Sequence, residues 1–532
     1  MYVKFLSKIN IFILFKYFFL ILKIKNYFKD YINFKSNHSN NKILVELNNM
    51  SSSIIINFNL LKILLKNKNS KVVVYKISSN INIFYRFILV IRCILKLDSI
   101  YLYSHIFKSE FIFFSKNKNN YDLIFKKIIK NIRTKKDIER IKIKGILVGD
   151  LIYDTYLRDK KKYTIDISSE DFKFFLKKCI KIFIYWHEYF KNNIVTSIIA
   201  SHSVYLNAIP VRIAISKNIP AYITSLKSIY YLNRHEMFAF KQYKMYPKIF
   251  KKLKNKNRLI LLANKSLKLR FEGKSGVHML YSSKSAWSPF FFNERIINKS
   301  NKIKILIVAH DFFDSPHSYG RNLFTDFYEW LIFLRDISLN TNYDWYIKTH
   351  PDYISGSRKI IENFVKSNNK FNLLQSSASH HQIIKEKINF ALTIYGTIGV
   401  EYAAKGIPVI NGSINNPHIK YKFNLHPKDI ESYKKILNNL EKIKLKITYK
   451  KVMEYYFMHN LYAQDNLLFG NSNELVSKLG GYKNLFNYKF YEYYLKNNTP
   501  DLQKNINSAI NSFIISKSYV SDLYLKNIEL KV

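Results

Sequence analysis

The stretch from Asn389 to Gly412, NFALTIYGTIGVEYAAKGIPVING, constrains this chain more than any other. Its apolar run, Phe390 to Ile394, reads as a buried strand. The run stops at a small polar turn, Tyr395-Gly396-Thr397. A short helix is expected from Ile398 to Lys405, closed by Gly406, and Pro408-Val409-Ile410 opens the next strand. This is one βαβ unit with a tight, glycine-lined entry to its helix. Such an entry aims backbone N–H groups at whatever sits above the strand ends, which suits a phosphate. Upstream, a strand from Trp345 to Lys348 ends in Thr349-His350-Pro351. A cationic or hydrogen-bonding group at one strand end, beside a helix N-terminus at another, is what a sugar nucleotide needs.

With 532 residues, the chain is long enough for at least two domains with real cores. Hydrophobic content of 48%, with 16% aromatic, is globular rather than disordered. The formal net charge is +49. Joint over-use of Lys, Asn and Ile, as in an AT-rich coding sequence, accounts for it in one reading. In the other, the charge faces an anionic partner such as lipid, nucleotide or nucleic acid. The Lys residues are scattered and no nucleic-acid motif is visible, so no specific nucleic-acid partner is expected. Cys93 and Cys179 are too few and too far apart for a zinc site or a disulfide framework, and fit a reducing compartment as small core residues.

Residues 4–28 are apolar, with Lys at 4, 8, 16, 23 and 25. No small-residue cleavage pattern follows. The longest uncharged run falls short of the ~20 residues that span a bilayer. Lys16 near the middle of a span would cost roughly 2.5–3.5 kcal/mol. The first expectation is a helix lying on an anionic inner-membrane surface; packing on the protein is the second and a true membrane anchor the third.

From Lys42 onward the pattern is α/β. Ile43 to Leu47 reads as a strand, Asn48-Asn49-Met50 as a turn, Ser51-Ser52-Ser53 as an N-cap run, Ile54 to Lys66 as a helix, and Lys71 to Ile77 as the next strand. Residues 81–140 read as helix-rich, with a possible strand near 98–103. Gly145 to Val148 reads as a strand ending at Gly149-Asp150. A helix over 170–191 precedes the strand Val195 to Ala200, which ends in Ser201-His202-Ser203. A helix through Tyr205 to Ile215 and a strand Ala221 to Ile223 follow. Residues 224–300 are irregular. Lys302 to Ala309 opens a second α/β half, followed by the polar loop His310 to Gly320 and a helix over Asn322 to Leu339. The expected division is 1–40 for the apolar segment, 41–245 and 301–425 for two Rossmann-like domains around an interdomain region 246–300, and 426–532 for helical additions.

The combination of KTHP at 348–351 and YGTIGVEYAAKGIPVI at 395–410 resembles the C-terminal half of GT-B glycosyltransferases, in particular bacterial capsule and surface-polysaccharide transferases. HDFFDSPHSYGR (310–321) with Glu329-Trp330, ILVELNNMSSS (43–53), GDLIYDTYLR (149–158) and SHSVYLNAIPVRIA (201–214) are similar to that group too. The likeness spans about residues 42–425. It implies an α/β protein of two Rossmann-like domains facing a cleft. A nucleotide sugar would be held mainly by the second domain and a glycan or lipid-linked acceptor by the first. Such enzymes commonly need no metal, and no DxD-type motif is present; no cofactor is expected besides the nucleotide-sugar substrate.

The donor side is expected to comprise His310, Asp314, Arg321, Lys348, His350, Gly396, Thr397, Gly399 and Glu401. The His350 imidazole can donate to a phosphate oxygen, or simply close a loop. Thr397 can cap its helix and still share its amides with a phosphate. Glu401 accepts from ribose hydroxyls, as the resemblance suggests, or is a solvated helix residue. Arg321 offers a guanidinium fork for a diphosphate. His310, Asp311, Asp314 and His317 crowd one loop and could bind a divalent ion, but in no zinc spacing. For the general base, Asp150 is the first candidate and His202 the second, with Asp154 and Tyr205 in support. Asp150 as a plain helix N-cap is the alternative. The expectation is a cytoplasmic, inverting, metal-independent glycosyltransferase of surface-polysaccharide assembly, peripheral on the inner membrane. A nucleotide-sugar epimerase, a CDP-glycerol-type glycerophosphotransferase and a non-catalytic binding protein are the rivals.

Overall fold

The structure is a computed structural model that describes residues 11–29, 40–48, 50–67, 69–77, 91, 99–113, 121–274, 284–352, 356–466 and 468–521. The expectations for Cys93, Asn49, residues 4–10 and most of 78–98 fall outside them.

Two parallel sheets organise the molecule. In the first half, β-branched and aromatic runs form β1 (Asn41–Glu46), β2 (Lys71–Lys76), β3 (Glu110–Phe113), β4 (Ile194–Ala200), β5 (Ala221–Thr224) and β6 (Ile229–Leu232). Their order is β3-β2-β1-β4-β5-β6, parallel except for the β5–β6 hairpin. In the second half are β7 (Lys304–Val308), β8 (Asp344–Lys348), β9 (Phe371–Leu373), β10 (Phe390–Thr393) and β11 (Val409–Asn411), ordered β9-β8-β7-β10-β11 and all parallel. Near-continuous burial of β1, β2, β5, β8 and β10 matches sheets covered on both faces. Both sheets reverse winding once, between β1 and β4 and between β7 and β10. In open α/β sheets these are the places that form a crevice beyond the carboxyl ends. The α/β class with two Rossmann-like domains is as expected.

Several local expectations need correction. Gly145 to Val148 adds no strand to the sheet; Lys142–Ile143 and Ile146–Leu147 form a separate two-residue hairpin around Gly145, whose φ of +78° suits glycine. The possible strand near 98–103 is the helix Ser99–Phe107. Ser51 to Ser53 lie inside the helix Ser51–Asn67 rather than ahead of it. The helix expected from Asn322 begins at Phe327, because Asp326 caps it by accepting from the Glu329 amide at 2.7 Å. The irregular region contains the hairpin strand β6 and the helices Tyr246–Lys252 and Lys256–Phe271. The latter carries polar residues nearly all round and shows weak periodicity in sequence.

The N-terminal helix, Ile11–Lys29, packs on protein. Leu20, Ile21, Ile24 and Phe28 are buried in one cluster with Phe58, Tyr491 and Tyr494, and Phe28 meets Phe58 edge-on at 5.1 Å. The face carrying these four residues is therefore covered by the helices Ser51–Asn67, Ser99–Phe107 and Tyr488–Asn497, while Phe15 and Phe19 on the same helix are exposed. No helix among the described residues is long and apolar enough to cross a membrane. The segment after 484, weak in sequence signal, folds back as Tyr488–Asn497 and Pro500–Ser516 on the first domain. Gln503 bonds Asn59 at 2.7 Å there, and Tyr519 and Ser521 pair with the free edge of β6.

Candidate functional site

A cavity of about 730 Å³ lies between the carboxyl ends of the two sheets. From the first domain it is lined by Asn48 and Met50 beyond β1, Ser201 and His202 beyond β4, and Ser225 to Lys227 beyond β5. From the second it is lined by Tyr395 to Thr397 beyond β10, with Val400 and Glu401 on the following helix. Both reversals of winding thus open onto one space.

The second-domain wall is built around the β10 turn. Gly396 donates to Thr393 Oγ1 at 3.1 Å, and a Cβ on Gly396 would come within 2.6 Å of that oxygen, so the tight turn requires glycine. Below it, His310 Nε2 accepts from the amides of Ile394 at 3.2 Å and Tyr395 at 3.0 Å. Desolvation pushes the His310 pKa down to about 4, which keeps it neutral and able to accept. His310 therefore fastens the turn from beneath and is not on the cavity wall. Thr397 occupies the N-cap position of the helix Ile398–Ala404, yet its hydroxyl makes no capping bond. It is exposed to the cavity and accepts from Arg270 Nη2 at 3.3 Å.

Arg270, on the interdomain helix, reaches this wall at a second point. Its Nε donates to Glu401 Oε1 at 2.5 Å, and Trp287 Nε1 donates to Glu401 Oε2 at 2.8 Å. Both oxygens of the buried Glu401 carboxylate are thus held by protein donors, so the solvated-helix reading is excluded and ribose contact has competition. The guanidinium edge turns toward Thr397 and the cavity. Gly399 packs below; a Cβ there would lie 2.5 Å from His418 Nε2.

Behind the first-domain wall, Glu46 ends β1 and accepts from the Ser201 amide at 2.7 Å, the Ser201 hydroxyl at 2.8 Å and the Asn207 amide at 2.8 Å. Ser201 Oγ lies 2.7 Å from His202 Nδ1. Desolvation lowers the His202 pKa, opposed by the Glu46 charge and reinforced by Arg158. Lys227 borders the same wall, its pKa pushed down to about 8 by desolvation.

The remaining sequence candidates lie elsewhere. Asp150 is in the first turn of Gly149–Lys160, accepting from Arg212 Nη2 at 2.7 Å, with both side chains almost wholly buried. Val148 holds the N-cap position, so Asp150 is neither that cap nor a base facing the cavity. Lys348 is buried at the end of β8 and donates to the carbonyls of Thr349 at 3.3 Å and Ser376 at 3.1 Å; burial lowers its pKa to about 8. His350 accepts from the Asp352 amide at 3.1 Å, closing its loop, with its pKa lowered by desolvation. Asp314 accepts from Tyr205 at 3.2 Å, across the domain boundary. Arg321 lines a second depression with Lys136, Arg140 and Lys428, away from the main cavity. Asp154 holds His317, whose Nδ1 lies 2.6 Å away, while Glu139 holds its Nε2 at 3.2 Å. His310 and His317 thus point to different partners, and no cluster of His, Cys, Asp or Glu that could hold a metal ion forms among the described residues. Of the sequence candidates, His202, Gly396, Thr397 and Glu401 share the cavity. Arg270, Lys227, Glu46 and Ser201 were missed. A strand end rich in hydroxyls after an acidic strand terminus was the available signal for the last two. None existed for Arg270, whose helix lacks clear periodicity.

No protein-family model and no curated protein matches the chain. Solved structures similar to it include KpsC of Thermosulfurimonas dismutans, a beta Kdo 2,4 transferase, at 11% identity and TM-score 0.30, over 49% of this chain and 79% of that one. UDP-GlcNAc 2-epimerase of Neisseria meningitidis, bound to UDP-GlcNAc, is similar at 10% identity and TM-score 0.22, over 79% and 99%. Anabaena HepE, in complex with UDP and glucose, is similar at 10% identity and TM-score 0.24, over 79% and 94%. At these scores the functional reading rests on the chain's own residues.

Proposed function

We propose that this protein transfers a glycosyl group from a nucleotide sugar to a hydroxyl of a glycan or lipid-linked acceptor in surface-polysaccharide assembly. The observation that carries this reading is the single cavity onto which both sheets open at their reversals of winding. It has a cationic, hydroxyl-bearing wall on one side and an imidazole on the other. Arg270 and Thr397 suit the donor phosphates, and Lys227 borders the opposite wall. The only acidic side chain on the described wall, Glu401, is neutralised by Arg270. An anionic ligand there would meet the Arg270 guanidinium edge and Lys227.

In this reading the donor's phosphates rest by the β10 turn. The acceptor enters past β4, where His202 takes its proton as the oxygen attacks the anomeric carbon from the face opposite the departing phosphate. Direct displacement inverts the configuration there. Arg270 stabilises the charge that collects on the leaving nucleotide. The test is transfer of label from a panel of nucleotide sugars to membrane extract and to soluble glycans. Arg270→Ala and His202→Asn should lower transfer about 10²-fold or more. Conversion of a nucleotide sugar to its epimer without transfer would replace this reading with the epimerase one.

A further inference from the structure

His202 makes one hydrogen bond to protein, through Nδ1. Its other ring nitrogen has no protein partner among the described residues, and the residue lines the cavity. Which nitrogen carries the proton is decided one residue away. The buried Glu46 carboxylate can only accept, so the Ser201 hydroxyl donates its single proton to Glu46 Oε2. With that proton committed, Ser201 Oγ can meet His202 Nδ1 only as an acceptor. The ring must donate from Nδ1, and the Nε2 lone pair is left toward the cavity. Glu46 itself is no base, because both its oxygens are already taken by Ser201 and Asn207.

We infer that Glu46 and Ser201 are positioning residues that fix the Nδ1–H form of His202 and leave Nε2 to receive the acceptor's hydroxyl proton. This rests on the glycosyl-transfer reading for its chemistry, though the tautomer does not. As the acceptor oxygen bonds to the anomeric carbon, its O–H bond breaks and the proton moves to Nε2. The bond from that carbon to the donor phosphate breaks, and its electron pair leaves on the nucleotide. The resulting imidazolium is stabilised through Ser201 by the Glu46 charge, a carboxylate–hydroxyl–imidazole relay. The charged groups acting on the ring are Glu46, which raises its pKa, and Arg158 of the helix Gly149–Lys160, which lowers it.

The experiment has two arms on the full chain. In the first, ¹⁵N-histidine NMR at pH 8 reads the His202 tautomer, assigned by loss of its signals in His202→Asn. The wild type should show a protonated Nδ1 and an unprotonated Nε2. Ser201→Ala should release that preference, and Ser201→Thr should restore it. In the second, the pH profile of kcat/KM is followed with the best donor of the panel. Ser201→Ala should lose about 10-fold to 100-fold in kcat with little change in donor KM, and Ser201→Thr should recover most of it. Glu46→Gln should move the acid limb to lower pH, because the charge that raises the imidazole pKa is gone. A protonated Nε2 in the wild type, or a tautomer indifferent to Ser201→Ala, overturns the relay whether or not transfer is found. A fixed Nδ1–H form with no transfer from any donor would leave the relay standing and remove the enzyme assignment. Transfer with an acid limb unmoved in Glu46→Gln overturns the charge coupling.

Discussion

Asp154 and His317 lie 2.6 Å apart across the boundary between the two domains, both buried. Burial alone would lower the imidazole pKa. The charge and hydrogen bond of Asp154, with the hydrogen bond of Glu139, reverse this and raise it to about 10. His317 is therefore a cation between two carboxylates. A group whose pKa rises on folding stabilises fully below its unfolded value, about 6.5, and loses that contribution as pH climbs through the folded one. Thermal midpoints should fall between about pH 7 and pH 10, and His317→Gln should flatten that fall. The substitution strands two buried carboxylates and should cost about 3–5 kcal/mol at pH 7 in chemical denaturation.

Arg270 holds Glu401 through Nε and reaches Thr397 through Nη2, a forked geometry that an ammonium cannot copy. Arg270→Lys should therefore weaken nucleotide binding at least ~10-fold, about 1.4 kcal/mol, by calorimetry with nucleoside diphosphates. Glu401→Gln leaves the Trp287 bond available while removing the charge that orients the guanidinium, and should give a similar loss. Affinity unchanged in both would place the phosphates elsewhere.

The sequence shows some parts of this molecule and hides others for identifiable reasons. The strands β1, β2, β4, β7, β8 and β10 are legible because fully buried parallel strands are unbroken apolar runs bounded by polar turns. The βαβ unit around Gly396 is legible because its turn admits little else. Asp150 illustrates the opposite case. An acidic residue after a glycine at the end of a short apolar run looks like a strand-end catalyst, and only the fold brings Arg212, far along the chain, to neutralise it. His310 and Lys348 sit at true strand ends but point beneath the turns and into the core, an orientation that spacing does not encode. Arg270 arrives from a helix outside both sheets, so no strand-end rule could find it.

The N-terminal helix separates packing from exposure along its own length. Ile24 is fully buried against the first domain and the C-terminal helices, while Phe15 and Phe19 are 60% and 58% exposed. Ile24→Ala should destabilise by about 2–5 kcal/mol in urea denaturation. Phe15→Ser and Phe19→Ser should each stay within about 0.5 kcal/mol of the parent, as surface changes do. A large loss in the Phe variants would mean that this face, too, is covered in solution.

Gly399 offers the sharpest packing test beside the cavity. A methyl there would lie 2.5 Å from His418 Nε2 and 2.7 Å from Cε1, inside any allowed contact. His418 cannot easily retreat. It is buried, its Nδ1 lies 3.2 Å from the Asn424 amide, and its ring stacks on Phe423 and meets Tyr455 edge-on. Asn424 also donates to the Gly399 carbonyl at 2.7 Å, so a shift of the ring pulls on the helix it supports. Gly399→Ala should cost about 1–3 kcal/mol by overpacking. The same shift tilts the helix that carries Glu401, so nucleotide affinity should fall with it. In the double variant Gly399→Ala/His418→Ala the clash is gone, and the cycle should show coupling of about 0.5–3 kcal/mol in chemical denaturation, with the methyl costing less once the ring is removed. Additive losses would mean that the helix moves as a body rather than against His418.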